Sequence, residues 1–180
     1  MEIQLFTDRS LWTMVHGIAL TGAAMMALSA VLFSLLTLHA GNIDEQAASI
    51  QSRYVAWLSV FVSVMLWSTV LVGTYVIFPS YRAVPPEGVA DLGMFPKALI
   101  QANPATAWLH SFGMETKEHV PWITAMLATA VTFVSIRYRA QLLRDATLNK
   151  AAAWLIGICL VLVSYVALLG VFVNKVAPLE

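Results

Sequence analysis

Residues 11–38 read LWTMVHGIALTGAAMMALSAVLFSLLTL. The stretch holds no Asp, Glu, Lys or Arg, and His16 is its one titratable group. Crossing the hydrocarbon core of a bilayer takes about 20 apolar residues of helix, and this run exceeds that. It is too long for the core of a signal peptide, and acidic Glu2 and Asp8 precede it, so it reads as a retained transmembrane helix. Working outward, three more runs qualify: Tyr54–Phe78, Val120–Ile136 and Ala151–Val173. The expected fold is an all-α membrane protein, a single four-transmembrane-helix bundle over residues 1–180 with a long loop between helices 2 and 3.

Composition agrees. The chain is 59% hydrophobic and 11% charged, against about 25% charged residues in soluble domains. A formal net charge of zero argues against nucleic acid, which calls for a basic surface. The single cysteine, Cys159, cannot form an internal disulfide and sits in an apolar run, so it reads as a packing residue. Trp12, Tyr54, Trp57, Tyr138 and Trp154 lie near the expected helix ends, where amphipathic rings favour the membrane interface. Trp67 falls mid-helix and is expected to face protein.

The connections divide the bundle into two faces. Residues 39–53 and 137–150 form short loops on one face, Y; residues 79–118 and both termini lie on the other, X. Pro79, Pro85, Pro86, Pro96 and Pro104 prevent the X loop from being one helix. Asn103-Pro104 has the form of a helix start, which predicts a helix from Pro104 through the third span to about Leu143, kinked at Pro121. Basic residues divide equally: Arg9, Arg82, Lys97, Lys117 and Lys175 on X, against Arg53, Arg137, Arg139, Arg144 and Lys150 on Y. Those on Y crowd into short loops, where the positive-inside rule works best. Y is therefore expected to be cytoplasmic and X, with the termini, external or periplasmic, in a bacterial inner membrane.

The polar residues that remain converge on face X. A titratable residue inside a span is costly and suggests function, which singles out His16. Ala19, Ala23, Ala27, Ala30 and Ser34 follow it at helical spacing, a stripe that permits close helix approach. Before the third span, His110, Met114, Glu115 and His119 offer ligand-type atoms, with Glu115 and His119 four residues apart on one helix face. With Leu38 and Arg137 as the Y ends, Glu115 falls level with His16, and His119 lies about 6 Å off that level at the helical rise. A haem between His16 and His119, a non-haem copper or iron site of His16, His119, Glu115 and Met114, and a hydrogen-bonded lock all fit these levels. Tyr75, Pro79, Tyr81 and Arg82 close the second span on X. Arg82 is a candidate clamp for a carboxylate such as a haem propionate, as is Lys117. Tyr75 is a candidate donor to a quinone or a histidine. His39 lies on Y as an interfacial residue. Glycine-rich phosphate loops, GxSxG and HExxH are absent.

The set His16-Gly17, Gly73-Thr-Tyr…Pro79-Ser-Tyr-Arg82, Lys117-Glu-His119 and Asn174-Lys-Val-Ala-Pro178 resembles a family of uncharacterised bacterial four-helix membrane proteins, a resemblance that implies no activity. More loosely, such a bundle is similar to small membrane b-type cytochrome subunits, which ligate haem b between histidines of different helices. That resemblance implies ligation by His16 and His119, with His110 in reserve. The expected function is a membrane electron-transfer subunit binding haem b toward X, within a larger respiratory or photosynthetic complex and exchanging electrons with quinol or an external carrier. The alternatives are a non-haem copper or iron protein and a cofactor-free structural or assembly subunit. No complete catalytic set is visible, so the chain is not expected to be an enzyme alone.

Overall fold

A computed structural model describes residues 7–38 and 44–178. The described chain is all-helical, without strands, and has four helices long and apolar enough to cross a membrane. These are α1 (Asp8–Thr37), α2 (Glu45–Tyr81), α4 (Leu109–Tyr138) and α6 (Ala146–Val176). Two short helices, α3 (Pro96–Ala102) and α5 (Ala140–Arg144), lie in the connections. His39, expected on Y, falls outside the described residues.

Each long helix extends beyond its apolar run because polar caps lie outside that run. Thr7 Oγ1 accepts from the Ser10 amide at 3.1 Å, opening α1. Asp44 accepts from Gln46 before α2, and Asp145 accepts from the Thr147 and Leu148 amides at 2.9 and 3.1 Å before α6. Such side chains satisfy amides that the first turn leaves unpaired. The third span departs from expectation. Asn103 Oδ1 accepts from the Ala105 amide in a turn at 2.9 Å, and continuous helix begins only at Leu109. At the other end Arg139 takes a positive φ of 39°, so α4 stops at Tyr138 and residues 140–144 form a separate turn of helix. The X connection is therefore shorter than the sequence suggests, residues 82–108, and α3 lies within it. Pro121 lies inside α4 without ending it.

The long helices close a ring in which α1 packs on α2, α2 on α4, α4 on α6 and α6 on α1. The core is narrow and built from small residues: Ala24, Ala27, Leu28 and Val31 of α1, Val55, Val62 and Leu66 of α2, Ala125 and Ala128 of α4, and Ala152, Ile156 and Cys159 of α6. The expected stripe along α1 is not the buried one. Ala27 is buried, but Ala19 and Ala30 are exposed, and Ala24, Leu28, Val31 and Leu35 take the inward positions. A π-helical segment at Val15–Thr21 changes the phase of the helix, so spacing counted from His16 does not carry through it. Trp12, Tyr54, Trp57, Tyr138 and Trp154 point outward, as expected of anchors. Trp67 meets protein as expected: its indole donates to Thr129 at 3.0 Å and packs edge-on to Trp122.

Hydroxyl groups link α2 to α4. Thr132 Oγ1 donates to the Ser59 carbonyl at 2.7 Å, which leaves the Ser63 hydroxyl to donate to Thr132 at 2.8 Å. Ser59 donates to Val55 of its own helix, so Ser135 donates to Ser59 at 3.4 Å. Thr132→Val keeps the shape but leaves the Ser63 hydroxyl without its interhelical acceptor and the Ser59 carbonyl without its interhelical donor. We expect a loss of about 1–2 kcal/mol in reversible unfolding in mixed detergent micelles, and a smaller loss for Ser135→Ala, whose bond is longer.

Candidate functional site

Three of the four long helices depart from α geometry, and all three do so toward face X. The π-helical segments are Val15–Thr21 in α1, Gly73–Ile77 in α2 and Leu109–Met114 in α4. Such segments are rare and are enriched at functional sites. In α1 the widened turn contains His16, whose carbonyl accepts from the Thr21 hydroxyl at 2.7 Å. In α2 it begins at Gly73, which lies against the His16 ring. A Cβ at Gly73 would stand 2.9 Å from His16 Cε1. The glycine thus makes room for the imidazole. His16 Nδ1 is buried and has no hydrogen-bond partner among the described residues.

Lys117 repeats the device on the other side of the ring. It projects from α4 toward Gly170 of α6, and a Cβ there would stand 2.7 Å from its Nζ. Its charge lies within electrostatic reach of His16. It forms no hydrogen bond or ion pair with any described residue. The next residue, Glu118, is half-buried, with Oε1 sealed from solvent and unpartnered among the described residues. Two glycines on two helices therefore accommodate two cationic-type side chains, with an unpaired carboxylate close in sequence.

Above this level the X end is capped. Tyr81, 6% exposed, forms a 3.0 Å hydrogen bond with His110 Nδ1. Tyr81 packs in an apolar cluster with Ile100 of α3, Leu109, Met114, Val173 and Ala177. The X connection is thereby pinned across the ends of α2, α4 and α6.

The residues singled out from the sequence separate into two groups. His16, His110 and Met114 turn toward protein, and Met114 lies among apolar side chains. His119 and Glu115 lie on the outward stripe of α4 with Phe112, Ile123, Met126 and Phe133, all exposed. His16 instead faces Gly73, so the structure does not bring His16 and His119 of one chain together. A cage of His16, Glu115, His119 and Met114 does not form either. Among the described residues no three His, Cys, Asp or Glu side chains group as a metal site. Tyr75 points outward at 69% exposure. Arg82 is exposed and stacks over the Phe78 ring at 4.7 Å. His119 has one fixed feature: Nδ1 donates to the Glu115 carbonyl at 2.7 Å, so in the neutral ring Nε2 is the nitrogen with the free lone pair. Cys159 is fully buried, its thiol 3.7 Å from the Thr124 carbonyl.

The sequence reading missed the inward orientation of Lys117 and Glu118 and the roles of Gly73 and Gly170. A glycine inside a span was the available signal for both pockets. Comparison of the chain with known protein families, with curated proteins and with solved structures returns no match.

Gly73→Ala drives a methyl into the His16 ring. Overpacking of this kind costs about 1–3 kcal/mol, while alanine in place of glycine returns up to about 1 kcal/mol of helix propensity. We expect net destabilisation in the native background and net stabilisation in His16→Ala, a change of sign read by a double-mutant cycle in detergent unfolding. Gly170→Ala meets only the flexible tip of Lys117 and should cost less.

Proposed function

We propose that the chain is a multi-pass subunit of a bacterial inner-membrane electron-transfer complex, and that its X end receives the head group of a quinone-type carrier. The supporting observation is the convergence of three π-helical segments with His16 Nδ1, the Lys117 ammonium and Glu118 Oε1, polar atoms that have no hydrogen-bond partner among the described residues. Unpaired polar groups in an apolar interior are costly, and an occupant that supplies hydrogen bonds recovers that cost. A quinone offers a carbonyl oxygen to the Lys117 ammonium, and its reduced form offers a hydroxyl to the free His16 Nδ1. Glu118 and the Tyr81–His110 pair supply exchangeable protons. The electrons come from a redox centre on a neighbouring subunit. In this reading Y, with its basic connections, faces the cytoplasm.

One observation favours a second reading. A histidine that binds a metal typically donates its other ring N–H to a carbonyl or carboxylate, and His119 does this while directing Nε2 outward. Haem b, or alternatively copper or iron, would then sit at the outward face of α4, with its remaining ligands from an adjoining subunit. The third reading is a cofactor-free assembly subunit, in which the X-end cluster only locks the helices.

Three measurements separate these readings. Titration of a short-chain benzoquinone or naphthoquinone against tryptophan fluorescence of the purified protein should saturate. Lys117→Met and His16→Ala should each weaken binding tenfold or more, and binding unaffected by both substitutions overturns the carrier reading. A visible spectrum with dithionite tests the second. A Soret band, or stoichiometric metal in elemental analysis, that His119→Ala abolishes supports ligation at the outward face. With no saturation, no chromophore and no metal, the assembly reading remains.

A further inference from the structure

A crevice opens on face X between the start of α1 and the end of α2, lined by Asp8, Arg9, Trp12, Thr13, Val76, Ile77 and Ser80. We infer that this crevice is a hydrated passage that carries water and protons from face X to the His16 imidazole. Its place in the helices makes the case. Trp12 and Thr13 lie one turn before His16, and Val76 and Ile77 lie one turn after Gly73. Gly73 is the residue against the His16 ring, so the floor of the crevice lies about 5 Å, one helical turn, above the imidazole.

Volume and lining also fit water. The crevice measures about 90 Å³, and a water needs about 10–15 Å³ of such space together with polar partners. Asp8 and Arg9 stand at the mouth, and the Thr13 and Ser80 hydroxyls line the walls. At the inner end, His16 Nδ1 is buried with no partner among the described residues. The π-helical segment Val15–Thr21 begins just below the crevice on the α1 wall, and the segment Gly73–Ile77 contains Val76 and Ile77 of the α2 wall. The other charge near His16 is Lys117, reaching in from α4. The α2 wall contributes no ionisable group to the lining. A protein whose X-end site handles a proton-exchanging head group needs such a route. To that extent its use rests on the carrier reading, but the passage itself is tested without any carrier.

The test is thiol accessibility in the full chain with Cys159→Ser as background. Single cysteines are placed at Ser80, Thr13 and His16, with Ile18, 71% exposed on the outward surface, as the comparison position. Purified protein in lipid vesicles is treated with a small charged methanethiosulfonate that does not partition into hydrocarbon. We expect Ser80→Cys, Thr13→Cys and His16→Cys to react at rates that fall with depth, and Ile18→Cys to react at least a hundredfold more slowly than Thr13→Cys. Equal rates at Thr13 and Ile18 overturn the inference. So does a reactive Thr13→Cys beside a His16→Cys as inert as Ile18→Cys, since the crevice is then closed above the imidazole. A second measurement keeps His16 in place. Thr13→Trp fills the crevice and should slow carbethoxylation of His16 by diethyl pyrocarbonate at least tenfold, read by peptide mass, and an unchanged rate counts against the passage. Labelling at depth with no quinone binding leaves the passage standing and sinks the carrier reading. Quinone binding with inert cysteines does the reverse.

Discussion

The outward surface of this bundle is as apolar as its interior. Ile18, Met26, Phe33, Trp57 and Val161 are each about two-thirds or more exposed, while the buried positions are mostly Ala, Val and Leu. Burial of apolar area therefore does not by itself say which face of a helix turns inward. Close approach and hydrogen bonding do. Alanines on α1, α4 and α6 bring the backbones together, and the Thr132, Ser59, Ser63 and Ser135 hydroxyls set α2 against α4. Every later feature, including which side chains reach the X-end site, follows from the rotations those contacts fix.

That constraint explains what the sequence made legible. Helix number, approximate spans and outward aromatic ends depend on runs of hydropathy and on chain position, and a reader needs no rotation to find them. The concentration of polar chemistry toward X was legible for the same reason. Rotation was not. In α4, Lys117 and His119 are two residues apart, which puts them on nearly opposite sides of a helix. The sequence marks both as unusual and does not say which is inside. Lys117 turns in because Gly170 of α6 leaves room for it, while His119 folds back onto its own helix at the Glu115 carbonyl. The π-helical segments compound the difficulty. They insert residues into the helical count where His16, Gly73 and His110 lie, so 3.6-residue arithmetic fails at the positions that matter. The helix start expected at Pro104 failed more locally, to an asparagine side chain that closes a turn instead of capping a helix.

The site that results is asymmetric in its support. His16 and Lys117 each enter a pocket made by the absence of a side chain on a facing helix, and there His16 Nδ1 and the Lys117 ammonium find no hydrogen-bond partner among the described residues, although the imidazole also bonds the Thr69 backbone. Tyr81, by contrast, bonds His110 and sits in a packed apolar cap. The cap is complete within the chain, whereas the level below it is built with polar groups left over. That contrast places the open chemistry beneath the connection that crosses the X end.

The order in which the ring closes has a consequence for how the protein is made. α1 leaves the ribosome before the other three described spans, yet one of its two neighbours is α6, which follows all of them. The niche opposite Lys117 also belongs to α6, at Gly170. Until that helix arrives, α1 has an open flank and the Lys117 ammonium has no pocket. The ring and the Lys117 niche are thus both completed by α6, and neither exists in a chain that has not yet reached residue 170.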